Sequence, residues 1–174
     1  MNVHFFRWAL LLILFFPFTV GCGEKTLPGM PPLVPASVTV MQDGQPLAGA
    51  AVSLLGDDEI TRQWPAGGIT DANGVANLRT GGKFDGAVVG KFRVTVNKIE
   101  KPENPFVSHA DSDSVNHQDY LREQRKVDAN TFIVVDRKFS SNDTPLSLAV
   151  VKGQKNYTVD VSPAVKTKVQ QAVY

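Results

Sequence analysis

The segment HADSDSVNHQD gathers His109, Asp111, Asp113, His117 and Asp119, and imidazole nitrogens with carboxylate oxygens are the donors that hold zinc or calcium. Their spacing follows neither metal's usual scheme. A calcium loop begun at Asp111 would need an oxygen ligand, a glycine and a closing glutamate where Val115, Asn116 and Arg122 stand. The five residues are candidate ligands of a metal carrier, and a solvated loop leading into a short helix near 114–125 explains the same residues without metal. Asp71 and Asn73 are explained by a turn. Ser108 precedes His109, yet adjacent residues do not set up a nucleophile and its base, and no Gly-x-Ser-x-Gly elbow occurs. Gly67-Gly68 and Gly81-Gly82 lack the lysine and hydroxyl residue of a phosphate-cradling loop. The expectation is a protein without catalytic residues and without a cofactor.

Cys22 is the only cysteine, so no intramolecular disulfide can form and the fold rests on its core. It closes a distinctive N-terminus. One arginine, Arg7, precedes the unbroken apolar run from Trp8 to Phe16, which Pro17 ends. With Phe18 and Val20 the apolar stretch reaches about 13 residues, short of the roughly 20 that span a bilayer. Thr19-Val20-Gly21-Cys22 resembles the bacterial lipobox, in which a small residue precedes a cysteine acylated through its sulfur; Thr19 departs from the usual leucine of that motif. The resemblance implies a signal peptide over 1–21, lipidation of Cys22 with palmitate-type chains, and attachment to a membrane of the bacterial cell envelope, at a periplasmic or outer-membrane face. Two or three acyl chains on one residue make such attachment effectively permanent, at about 0.8 kcal/mol per buried methylene.

Charge narrows the partners. All 17 acidic residues lie beyond residue 21, as do all basic residues except Arg7, so a chain cut there is formally neutral. Arg122, Arg125 and Lys126 form the one tight basic group, which suits a solvated loop face better than a phosphate backbone. Nucleic acid is excluded as a partner on that ground.

Pro28, Pro31, Pro32 and Pro35 then make residues 22–37 an extended tether. Beyond Ser37 the dominant period is two. Val38 and Val40, Val52 and Leu54, Phe92, Val94 and Val96, Leu146, Leu148 and Val150, and Tyr157, Val159 and Val161 alternate with polar or small residues. Thr131 to Val135 is a denser apolar run, suited to a strand covered more fully. Asp43-Gly44, Gly67-Gly68, Asp71-Ala72-Asn73-Gly74, Gly81-Gly82, Asn142-Asp143 and Lys152-Gly153 separate the runs as turn signals. Half-buried strands need a second sheet over them, so an all-β fold follows. The expected architecture is a single antiparallel β-sandwich of about seven strands over 38–162, interrupted by a long polar loop at about 100–130. Residues 163–174 form a tail. Val165, Val169 and Val173 would make one helical stripe there, though a frayed end fits its thin apolar content better.

"VTVMQDGQPLAGAAVSLL", "GGITDANGVANLRT" and "GAVVGKFRVTVNK" resemble the carboxypeptidase regulatory-like, prealbumin-like (transthyretin-like) β-sandwich modules of bacterial envelope proteins, over Ser37 to Lys98. "TPLSLAVVKGQKNYTVDVS" is similar to the closing strands of short lipoproteins that carry the module. The Tyr-Arg-Gly-Ser ending of hydroxyisourate hydrolases, which share the prealbumin-like fold, is absent from Gln170–Tyr174. The resemblance implies a non-catalytic domain that presents loops to an envelope protein or a glycan. A purely structural envelope-assembly module and a small-ligand or metal carrier are the alternatives.

Overall fold

In the strand Gly90–Asn97 the side chains of Phe92, Val94 and Val96 are fully buried while Lys91 and Asn97 are exposed, the alternation that a pleated backbone imposes on a period-two sequence. The structure is a computed structural model and describes residues 27–103 and 117–169. Gly90–Asn97 pairs with Ala51–Gly56 on one side and Ser147–Val150 on the other. Beyond Ala51–Gly56 the sheet continues through Ala66–Ile69, Arg79–Thr80 and Phe84–Asp85, antiparallel throughout. A second sheet is built on Ser37–Gln42, which has Asn156–Asp160 on one side and Val75–Asn77 and Gln45–Pro46 on the other. Val38, Val40, Tyr157 and Val159 from this sheet join Val52, Leu54, Phe92 and Val94 from the first in one buried core. The chain is therefore all-β and sandwich-like. The strands of three or more residues number seven among the described residues, and all belong to these two sheets.

Several expectations are corrected. The sandwich is not wholly antiparallel: Asn156–Asp160 runs parallel to Ser37–Gln42, Tyr157 opposite Val38 and Val159 opposite Val40. The cause lies at Lys152-Gly153, where the chain turns out of the first sheet and into the second instead of folding back on Ser147–Val150.

Gly67-Gly68 is no turn but the middle of the strand Ala66–Ile69. A Cβ on Gly67 would stand 2.7 Å from the Val52 carbonyl oxygen, and one on Gly68 2.5 Å from that of Asn77. The glycines are there because other backbone passes too close for a side chain. Beside Gly67 that backbone is the neighbouring strand Ala51–Gly56 of the same sheet, and beside Gly68 it is the chain from Val75 to Thr80, which crosses from the second sheet to the first. Asp71 to Gly74 does turn, Asp71 Oδ1 accepting from the N–H groups of Asn73 (2.8 Å) and Val75 (2.9 Å). The strands it joins enter different sheets, so they do not form a hairpin ladder.

At both ends the ordered fold exceeds the span 38–162. Leu33–Val34, in the stretch assigned to the tether, pairs antiparallel with Ala87–Val88, and Ala36 and Ser37 are buried. In the tail, Thr167–Lys168 is a strand against Phe132–Ile133, neither helical nor frayed up to Val169.

One buried hydroxyl bridges a sheet to its turn. Thr70 Oγ1 donates to the Leu47 carbonyl (2.6 Å) and accepts from the Ala50 N–H (2.7 Å). Thr70→Val keeps the shape and strands both backbone groups in a buried place, so chemical denaturation is expected to show a loss of about 1–3 kcal/mol. Thr70→Ser, which keeps the hydroxyl, should recover most of it.

Candidate functional site

The polar excursion between the sandwich strands starts and ends at one place. Ile99–Glu100 pairs antiparallel with Phe132–Ile133, Ile99 opposite Ile133 and Glu100 opposite Phe132. Thr167–Lys168 completes a three-stranded sheet on the other side of Phe132–Ile133. The Val134 N–H donates to the Lys98 carbonyl (3.2 Å), and Gln42 Nε2 donates to the Val134 carbonyl (2.8 Å), which fixes this small sheet to the sandwich. Thr131 to Val135 thus contributes a two-residue strand with half-buried Phe132 and Ile133, while Val134 and Val135 are buried outside any strand.

The excursion returns through a helix, His117–Ala129, longer and later than the short helix expected near 114–125. Its charges run the favourable way for the helix dipole, with Asp119 in the first turn and Lys126 in the last. Asn130 Nδ2 and Thr131 Oγ1 close its C-terminal end by donating to the carbonyls of Lys126 (2.9 Å) and Val127 (2.8 Å). Arg122, within the stretch expected to be helical, and Lys126, just beyond it, are both on this helix, and each has a carboxylate one turn back: Asp119 at 3.4 Å and Glu123 at 2.8 Å.

Among the metal-ligand candidates, His109, Asp111 and Asp113 lie outside the described residues, as does Cys22. His117 opens the helix and Asp119 follows two positions later, a separation that puts them on different helix faces. Asp119 is engaged with Arg122. Among the described residues no three His, Cys, Asp or Glu side chains could hold one metal ion.

A cleft of about 600 Å³ lies beside the three-stranded sheet, lined by Ile133, Val135, Asp136, Arg137, Val165, Thr167 and Lys168. Asp136 Oδ1 is turned to the Lys138 N–H (2.9 Å), capping the 3-10 turn Arg137–Phe139. Among the described residues the lining contains no cysteine, histidine or serine. Nothing in the sequence foretold this cleft, because it is created when two-residue strands far apart in the chain meet.

The described residues define an all-β, sandwich-like protein whose polar excursion is clamped at both ends. Compared with protein-family models, with curated proteins and with solved structures, the chain finds no match.

Proposed function

We propose that the chain is a lipid-anchored lipoprotein of the bacterial envelope, displaying a non-catalytic β-sandwich of the carboxypeptidase regulatory-like type to a protein or glycan partner. The observation that carries the display half is the clamp: Ile99–Glu100, just before the span 101–131, and Phe132–Ile133, just after it, are paired. Such an arrangement lets a rigid scaffold position a recognition segment, the usual division of labour between scaffold and loop. The anchoring half rests on the lipobox resemblance at Gly21-Cys22 and the short apolar run before it.

Cys22→Ser tests the anchor. Only a thiol can form the thioether, so the variant is expected to lose radiolabelled palmitate entirely and to partition into the aqueous phase in detergent extraction. Label retained by Cys22→Ser would overturn the reading. The alternative of an assembly module draws on a different observation, the edge of the second sheet at Asn156–Asp160, which has no strand beside it on its outer side among the described residues.

A further inference from the structure

The strand Asn156–Asp160 ends the second sheet, and its hydrogen-bonding phase follows from its two boundaries. The Ser37 N–H donates to the Lys155 carbonyl (2.8 Å) and the Val161 N–H to the Met41 carbonyl (2.9 Å). Parallel ladders are evenly spaced, so Lys155, Tyr157, Val159 and Val161 bond inward to Ser37–Gln42. The N–H and C=O groups of Asn156, Thr158 and Asp160 therefore point to the other side, where no strand lies among the described residues. Gln154 Nε2, 3.4 Å from the Asn156 carbonyl, reaches it from that side.

The other edges of the two sheets are shorter or blocked. Phe84–Asp85 and Gln45–Pro46 are two residues each, and the second contains a proline. On Ser147–Val150, the Val94 N–H bonds to the Leu146 carbonyl (2.9 Å), which leaves only Ser147 and Ala149 pointing outward. The next outward donor, the Val151 N–H, is taken by the Tyr157 hydroxyl (3.0 Å). Asn156–Asp160 has no proline and no lysine or arginine, the residues that usually guard an exposed edge.

We propose that this edge is a homodimer interface, in which Asn156–Asp160 pairs antiparallel with the same strand of a second copy about a two-fold axis at Thr158. In that register all three outward residues form hydrogen-bonded pairs, Thr158 with Thr158 and Asn156 with Asp160. The side chains are self-complementary as well. Asp160 Oδ1 already accepts from the Ser162 N–H and hydroxyl, and Asn156 Oδ1 accepts from the Ser37 hydroxyl. An acceptor, Asp160 Oδ2, and a donor, Asn156 Nδ2, remain on opposite sides of each pair. Moving the axis to Asp160 would set two carboxylates face to face, and moving it to Asn156 would leave Asp160 beyond the paired strands. A second copy is thus a closer fit to this strand than an arbitrary one, and the two sheets merge into one across the axis. The inference does not depend on lipidation.

The test uses the purified full-length chain in detergent. Directly opposed residues of a hydrogen-bonded antiparallel pair have Cα atoms about 5.5 Å apart, within disulfide reach. Under mild oxidation Thr158→Cys is expected to pass largely into a covalent dimer, with Ala149→Cys remaining at the background set by the parent chain, which carries Cys22. In sedimentation the parent should run as a dimer and Thr158→Lys as a monomer, because two lysines would face each other on the axis. Thr158→Lys should keep the parent's circular dichroism, since Thr158 is exposed and, although it stands opposite Thr39, its N–H and C=O take no part in the hydrogen bonds to Ser37–Gln42. A monomeric parent, a dimer indifferent to Thr158→Lys, or stronger crosslinking at Ala149 than at Thr158 would overturn the proposal.

Discussion

Phe92→Ala is expected to lower stability by about 4 kcal/mol, in the range for removing a fully buried aromatic ring. Phe92 has no exposed surface and stands on the central strand, between Gly56 and Leu148 on the flanking strands. Its ring is among the largest fully buried side chains, and the residues around it come from both sheets, so the gap cannot close by moving one element. A melting temperature lower by roughly 12 °C follows, taking about 3 °C per kcal/mol for a domain of this size. Phe92→Leu, which refills much of the volume, should lose distinctly less. If Phe92→Ala melts within a degree or two of the parent, the shared core described above is wrong.

The second large effect is expected at Gly68. The added methyl of Gly68→Ala would stand 2.5 Å from the Asn77 carbonyl oxygen and 3.3 Å from its carbon. Both are backbone atoms, and Asn77 is held in the second sheet opposite Ser37. Neither partner has a rotamer with which to give way, so the cost falls on the strands themselves, at about 3 kcal/mol, the upper end for overpacking. Equilibrium unfolding in urea is the measurement. Gly81→Ala serves as a contrast in kind: no atom lies within 4 Å of its added methyl, and its penalty comes only from a φ of +58°. A Gly68→Ala chain as stable as the parent would show that the two backbones are not in contact.

These two positions also show what the sequence makes legible. Phe92 stands in an alternation with Val94 and Val96 that predicts its strand and its burial, because period two is a property of one strand alone. Val38, Val40, Val52 and Leu54 are legible for the same reason, and all are buried. Asp43-Gly44 and Gly81-Gly82 predict turns, and the structure has them with positive φ at all four residues. Gly67-Gly68 carries the same letters as a turn, yet its cause is backbone from elsewhere in the chain, Val52 beside Gly67 and Asn77 beside Gly68. That is a long-range fact with no local trace. The parallel pairing of Asn156–Asp160 is hidden likewise, since alternation specifies which face is buried and says nothing of direction. Phe132–Ile133 and Thr167–Lys168 are too short to show a period at all, so the small sheet and the cleft beside it could not be anticipated. Within the candidate site, Asp119 and Arg122 stand three apart inside the stretch expected to be helical, the spacing at which their ion pair forms.

The clamp formed by Ile99–Glu100 and Phe132–Ile133 also bears on how this surface can change over generations. Closing a loop whose ends are already side by side costs free energy that rises only with the logarithm of its length, about 0.6 kcal/mol for each doubling. The span from Lys101 to Thr131 can therefore lengthen or shorten while Phe92, Val94 and Val96 stay where they are, provided the buried Val127 of its helix is kept or replaced in kind. The fold is in this respect a socket. Selection on what fits into it is largely uncoupled from selection on the core that supports it, and grafting a foreign segment between Glu100 and Phe132 is the laboratory equivalent of that freedom.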